Sequence, residues 1–139
     1  MKLFNKLNKF KNNIALIDDK KNILTFEDLN KISIKQKKII KKRSLILFIT
    51  DNNIYSISNY ISSVRNKFVS MFLDIKTKKK EIDNIINLYK PHFIICPKNF
   101  LNNNKIKIIE KKKYSNYCLF KTNFINKTNL SKNLCLLLP

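Results

Sequence analysis

The chain has 139 residues and a formal net charge of +20, from 29 basic and 9 acidic side chains. This length suits one domain with a substantial core and is short for two. Apolar residues make up 44% of the chain, which excludes a disordered polycation. Because the apolar runs are only a few residues long, the sequence predicts no transmembrane segment, and it shows no secretory signal pattern. The expected location is therefore the cytoplasm.

The three cysteines and the one histidine are too few and too scattered for a disulfide scaffold or a zinc site. Cys118 and Cys135 lie in apolar runs and are predicted to be small core residues, whereas Cys96 precedes Pro97 and is expected to be more exposed. His92 begins an apolar run without a companion ligand, so we expect it to be structural. The sequence predicts no catalytic, cofactor-binding or metal-binding residue.

Lysine supplies almost all of the positive charge, and two interpretations are open. Lys, Ile and Asn number 27, 22 and 21, and an AT-rich genome produces this basic composition without selection for a polyanion partner, because their codons are rich in A and T. The alternative is a stand-alone Lys-rich α/β module that binds nucleic acid or another acidic partner. Tyr114 and Tyr117, beside the Lys111–Lys113 run, could then stack bases. Non-specific binding of polyanions at low salt is expected in either case.

The chain contains no glycine, whereas an ordinary domain of this length has roughly ten. A P-loop and a GxGxxG turn both need glycine, for left-handed turns and for close approach of the backbone to phosphate. The sequence therefore excludes a glycine-rich phosphate loop within these residues.

The N-terminal part of the chain predicts a short helix, a hairpin and a longer helix. The apolar spacing over 3–10 fits a short helix packed on its own domain, or alternatively a basic amphipathic helix on a membrane. Residues 14–17 and 23–24 are the predicted strands of a hairpin around the turn 18–22. Thr25 is the predicted N-cap of the longer helix. Its apolar face is predicted to consist of Phe26, Leu29, Ile32, Ile39 and Ile40.

Apolar strands then alternate with helices. Strands are predicted at 45–49, 68–73 and 92–96, and their continuous apolar runs are typical of strands buried on both faces. The alternation predicts an α/β fold, a parallel sheet with covering helices, in a single domain over residues 1–139. Three weaker strand candidates follow at 106–109, 117–120 and 134–138.

The two helices between these strands have predicted boundaries. Asp51 or Asn52 is the expected cap of the first helix. The second helix is expected to begin near Thr77 and to end before Pro91, because proline disfavours helix in the residue before it. The apolar face of the first helix is predicted to consist of Ile54, Ile57, Tyr60, Ile61 and Val64.

Four segments share their order and spacing with the motifs of a known enzyme superfamily. Residues 24–29, Leu-Thr-Phe-Glu-Asp-Leu, resemble its first core motif, Leu-Thr-Tyr-x-Glu-Leu. Residues 64–74 match the second motif, Leu-Lys-Ala-Gly-x-Ala-Tyr-Val-Pro-Leu-Asp, in length and in the final Leu-Asp, with Lys67 in place of glycine. Asp51-Asn52 lies where the family has an Asn after its first buried strand, and residues 88–95 resemble its next helix-to-strand passage. The chain thus resembles adenylate-forming enzymes: acyl-CoA synthetases, peptide-synthetase adenylation domains and luciferases.

Residues 134–139 are similar to the strand that leads into the third motif of the family, the phosphate loop Thr-Ser-Gly-Ser/Thr-Thr-Gly-x-Pro-Lys. The resemblance, from about Ile14 to Pro139, implies an incomplete N-terminal part of an AMP-binding domain, truncated just before the phosphate loop. For the complete enzyme it implies ATP and Mg²⁺, a carboxylic or amino acid substrate, and coenzyme A or a carrier-protein thiol. The chain alone is expected to be inactive and to bind no cofactor, with the remainder of the enzyme supplied in cis or in trans.

Lys67 also bears on the backbone conformation expected after the preceding helix. The family glycine at this position is expected to be the left-handed residue after a helix, where a Cβ atom is unfavourable. Since asparagine tolerates this conformation, Asn66 is expected to adopt it one residue earlier.

Overall fold

The computed structural model describes residues 4, 6–98, 100–101, 108–114, 117–124 and 130–139. A short 3-10 helix (Leu7–Phe10) precedes an antiparallel hairpin of β1 (Ile14–Ile17) and β2 (Ile23–Thr25). The predicted hairpin is confirmed. Of the predicted helix over 3–10, residues 3 and 5 lie outside the described residues, and the part that is helical, Leu7–Phe10, is of the 3-10 type. Leu7 is buried against Leu29 and Ile61, so this segment packs on its own domain.

Helix α1 (Phe26–Ile39) begins at the predicted cap, Thr25. The Thr25 hydroxyl accepts a hydrogen bond from the Asp28 N–H at 3.2 Å, and the Asp28 carboxylate accepts one from the Thr25 N–H at 3.0 Å, which is a capping box. The backbone and side-chain hydrogen bonds from Thr25 lower the pKa of the Asp28 carboxyl. The stability that this carboxylate contributes is therefore present above the ordinary pKa of Asp and is lost as the pH falls through the lowered value.

Four parallel strands form one side of the main sheet, out to its edge. They are β3 (Leu45–Thr50), β4 (Val69–Asp74), β5 (Phe93–Pro97) and β8 (Leu136–Leu137), in the spatial order β5-β3-β4-β8. Helix α2 (Ile54–Arg65) connects β3 to β4, and helix α3 (Lys79–Tyr89) connects β4 to β5. The predicted α/β fold, a parallel sheet with covering helices, is confirmed.

The edge of the sheet beyond β5 is antiparallel, which the sequence did not predict. Strand β7 (Tyr117–Thr122) pairs with β5, and strand β6 (Ile108–Tyr114) pairs with β7. The predicted strand over 117–120 is thus confirmed, and the candidate over 134–138 is reduced to two residues. Of the candidate at 106–109, residues 106–107 lie outside the described residues. The lysines of β6 are on an edge strand, where charge opposes pairing with further strands.

Strand β3 is apolar throughout because both of its faces are covered. Alternate residues of a strand point to opposite faces. Leu47 packs in the cluster that contains Ile82 of α3, and Phe48 packs in the cluster that contains Ile40, at the end of α1. Both strand residues are 0% exposed.

Helices α1 and α2 meet through a buried polar seam that the apolar pattern did not predict. The Gln36 side chain donates to the Ser63 hydroxyl at 3.3 Å and accepts from the Ser62 hydroxyl at 2.6 Å. The Asn66 amide donates to the backbone of α1 at 2.9 Å. Ile57, predicted on the buried face of α2, is 46% exposed, because small serines occupy that face and allow the two helices to pack closely.

Helix α2 ends in a Schellman motif with lysine at the position that favours glycine. The Phe68 N–H donates to the Ser63 carbonyl at 3.0 Å, and the Lys67 N–H donates to the Val64 carbonyl at 3.2 Å. Lys67 has a φ of 59°, whereas Asn66 has a φ of −85°. The prediction that Asn66 is left-handed is therefore wrong, because Asn66 is the C-cap that bonds to α1.

Arg43 joins three segments of the chain. Its guanidinium donates to the carbonyl of Lys67, to that of Ser131 at 2.6 Å, and to that of Leu134. This side chain therefore holds the residues before β8 against the turn between α2 and β4.

We predict that Lys67→Gly increases the free energy of unfolding by about 1 kcal/mol, because it removes the Cβ atom that disfavours the left-handed conformation. Lys67→Ala is the control: it removes the charge and keeps the Cβ atom, so its stability should stay within about 0.5 kcal/mol of the parent chain. Urea unfolding followed by circular dichroism measures both variants. A glycine variant no more stable than the alanine variant would contradict the prediction.

Candidate functional site

A cleft of about 540 Å³ lies at the carboxyl ends of strands β3 and β5. The turn 18–22, the loop 51–53 and Tyr117 of β7 contribute to its lining. A hollow of about 350 Å³ between the ends of β3 and β4 shares the loop 51–53. Ligands of parallel α/β sheets bind at this edge, where successive helices leave toward opposite faces. Since α2 and α3 pack on opposite faces of the sheet, the cleft is the candidate site by topology.

Asn53, and not the predicted Asp51 or Asn52, caps helix α2. Its side-chain oxygen accepts hydrogen bonds from the N–H groups of Tyr55 and Ser56, both at 3.0 Å. The prediction is wrong because the capping side chain must come from the residue directly before the first helical turn.

Tyr117 connects this cap to the other side of the cleft. Its hydroxyl accepts a hydrogen bond from the Asn53 amide at 3.2 Å and lies 2.8 Å from the Ser56 hydroxyl. The side chain is 2% exposed, so the hypothesis that Tyr117 stacks bases is wrong. The side chains of Tyr114 and of the Lys111–Lys113 run lie outside the described residues.

Two acidic residues of the cleft serve local turns. The Asp18 carboxylate accepts hydrogen bonds from the N–H groups of Lys20 at 3.0 Å and Asn22 at 2.8 Å, and from the Asn22 side chain at 2.9 Å. These bonds, the Asn22 side chain first among them, lower the pKa of the Asp18 carboxyl. The Asp51 carboxylate accepts from the Asn52 N–H at 2.8 Å. The geometry therefore assigns both carboxylates to turn formation.

The lining of the cleft includes no histidine or cysteine that could serve as a base or nucleophile. Over the described residues, no group of three or more His, Cys, Asp or Glu side chains is placed to hold a metal ion. In that same part of the chain, no helix has both the length and the apolar content to cross a membrane.

His92 and the cysteines lie within or beside the sheet. The Nδ1 atom of His92 accepts a hydrogen bond from the Leu45 N–H at 3.2 Å, which joins the beginnings of β3 and β5. Cys96 and Cys118 are buried and Cys135 is exposed. The burial prediction is confirmed for Cys118 and wrong for the other two, because Cys96 lies in a strand covered on both faces and Cys135 precedes the edge strand β8.

Comparisons with known proteins identify the fold. No family model matches the sequence, and no curated protein does. The chain is similar to the structure of the luciferase-like enzyme from the nonluminescent Zophobas morio mealworm, with a TM-score of 0.57 and 22% identity over 71% of this chain and 25% of that one. It is also similar to IdnL1, with a TM-score of 0.63 and 7% identity over 86% of this chain and 26% of that one. The chain therefore shares their fold and spans about a quarter of their length.

We predict that Asn53→Ala lowers the free energy of unfolding by about 1–2 kcal/mol, because it removes the cap of α2. Tyr117→Phe should cost about 1 kcal/mol through the lost hydroxyl bonds. Since the two side chains bond to each other, the double variant should cost less than the sum. Urea unfolding measures all three variants. Asn52→Ala is the control, and a cost equal to that of Asn53→Ala would contradict the assignment of the cap.

Proposed function

We propose that this chain is the N-terminal scaffold portion of a cytoplasmic AMP-forming acyl or aminoacyl adenylating enzyme. The complete enzyme joins the carboxylate of its substrate to the α-phosphate of ATP, which gives an acyl-adenylate and pyrophosphate. It then transfers the acyl group to the thiol of coenzyme A or of a carrier protein. Residues 1–139 supply part of the sheet and its covering helices, and the remainder of the enzyme, in cis or in trans, supplies the catalytic groups.

The conformation of Lys67 is the observation that carries this proposal. The resemblance of residues 64–74 to the second motif aligns Lys67 with a glycine of the superfamily. The backbone at Lys67 is left-handed, with a φ of 59°, which is the conformation that glycine favours. The motif alignment and the backbone conformation therefore both support Lys67 as the counterpart of the superfamily glycine, although the residue here is lysine.

The two motifs also coincide with boundaries of secondary structure. Residues 24–29 contain the capping box of Thr25 and Asp28, which begins α1. Residues 64–74 end at Asp74, whose carboxylate accepts a hydrogen bond from the Lys76 N–H at 2.7 Å where β4 ends. Both motifs therefore contain residues that begin a helix or form a turn after a strand, and these are structural roles of the kind that the proposed scaffold requires.

The residues present do not fit the ATP and Mg²⁺ of the complete enzyme. The chain has no glycine for a phosphate loop. Helices bind phosphate through free N–H groups at their N-termini. The Thr25 and Asn53 side chains occupy such groups in α1 and α2, and α3 alone of the three α-helices in the described part of the chain begins without a side-chain cap. Asp28 adds a negative charge at the N-terminus of α1, which opposes the binding of phosphate there. The proposal therefore assigns ATP and Mg²⁺ to the rest of the enzyme.

An apolar hollow beside the edge strand β8 supports the presence of further polypeptide. It has a volume of about 240 Å³ and is lined by Ile57, Tyr60, Phe72 and Leu136, together with Ser56. Ile57 is 46% exposed and Leu136 39% exposed. Three-quarters of each similar structure lies outside the matched region, and the proposal assigns the cover of these side chains to further polypeptide of the enzyme.

We predict that the purified 139-residue chain catalyses no carboxylate-dependent exchange between ATP and pyrophosphate, because it lacks a phosphate loop. The assay uses a panel of fatty, aromatic and amino acids, a heat-denatured sample as blank and a complete adenylating enzyme as positive control. Exchange that requires both the folded chain and an added carboxylate would contradict the assignment of catalysis to the remainder of the enzyme.

A further inference from the structure

Helix α1 and the residues directly after it carry a dense cluster of exposed lysines. Lys35 and Lys38 lie on the solvent face of the helix, three residues apart, and Lys37 is in the last turn. Lys41 and Lys42 follow the end of the helix. All five side chains are exposed, and we call them the α1 lysine cluster.

The charge of this cluster is not neutralised within the described part of the chain. Glu27 forms an ion pair with Lys31, at 3.1 Å, one turn before the cluster. No acidic side chain among the described residues forms an ion pair with the five cluster lysines. The carbonyl end of α1 favours nearby cations, but ammonium groups three or four residues apart repel each other. A bound polyanion would relieve this repulsion.

The chemistry of the cluster favours a phosphate backbone over a membrane or a protein. Membrane-surface helices need a free apolar face, whereas that of α1 packs inside the domain through Leu29, and Ile34 is its one large exposed hydrophobic residue, at 48%. Protein interfaces have an apolar or aromatic centre, and residues 31–42 contain no aromatic side chain. Lysine is a point charge without the planar fork of arginine, and contacts to phosphate carry no sequence information.

We propose that the α1 lysine cluster is a binding surface for the phosphate backbone of nucleic acid, without preference for sequence. This inference is independent of the proposed adenylating enzyme and concerns a different face of the chain. It assigns the binding to one surface. The alternative is that binding reflects net positive charge alone, in which case every exposed lysine contributes to it.

The test compares two variants with the same loss of charge. The cluster variant changes Lys35, Lys37, Lys38, Lys41 and Lys42 to Gln, which keeps good helix propensity. The control variant changes five other exposed lysines to Gln: Lys76, Lys78, Lys80, Lys98 and Lys132. Anisotropy of a fluorescein-labelled 20-base-pair duplex gives the dissociation constant of each protein between 50 and 300 mM NaCl. Thermal unfolding by circular dichroism confirms that both variants are folded.

The proposal expects the cluster variant to lower the slope of log affinity against log salt by about 2 or more, since each phosphate contact contributes about 0.9. It also expects an affinity at least about tenfold weaker at 100 mM salt. The control variant should change both quantities less than half as much, and two unrelated duplexes should bind equally well.

Three results would overturn the proposal. Equal losses in the two variants would show that net charge alone governs binding. No binding of the duplex by the parent chain at 150 mM NaCl would show that the cluster is not a nucleic-acid-binding surface. Tighter binding to phosphatidylserine vesicles than to the duplex at equal salt, lost selectively in the cluster variant, would assign the surface to lipid.

Discussion

The burial of β3 on both faces is the constraint on which the rest of the structure depends. Leu47 and Phe48 are adjacent, point to opposite faces of the sheet, and are both 0% exposed. The domain therefore needs cover on both sides, which α3 supplies on one face and the end of α1 with α2 supplies on the other. Helices on opposite faces place β4 and β5 on either side of β3, and that arrangement opens the cleft at the carboxyl edge of the sheet.

The sequence predicts the elements whose signals are local. The apolar runs of β3, β4 and β5 and the cap at Thr25 are visible in the chain itself. The polar seam around Gln36 is not, because a buried amide is stabilised by Ser62 and Ser63 of another helix, which only the fold brings into contact. The edge strand β6 also lacks an apolar pattern that would predict it, because edge strands commonly carry charged residues. In the candidate site, the loop after β3 was predictable from the sequence. The hydrogen bond between Asn53 of this loop and Tyr117 was not, because it depends on tertiary contact.

Lys67 shows why a scaffold can do without glycine although a phosphate loop cannot. A left-handed lysine costs roughly 1–2 kcal/mol, and the two hydrogen bonds of the Schellman motif remain intact. In a phosphate loop a Cβ atom would instead block the approach of the backbone to the ligand. The absence of glycine is therefore compatible with the fold and incompatible with nucleotide binding by such a loop within these residues. This distinction underlies the proposed division of the enzyme into a scaffold and a catalytic remainder.

Sequencing of the transcript beyond the Pro139 codon tests the central proposal most directly. The proposed scaffold role predicts a Thr-Ser-Gly phosphate loop and a later catalytic lysine motif, encoded either in the same frame or as a second polypeptide of the same locus. A stop codon at that point, in a locus without these motifs, would contradict it.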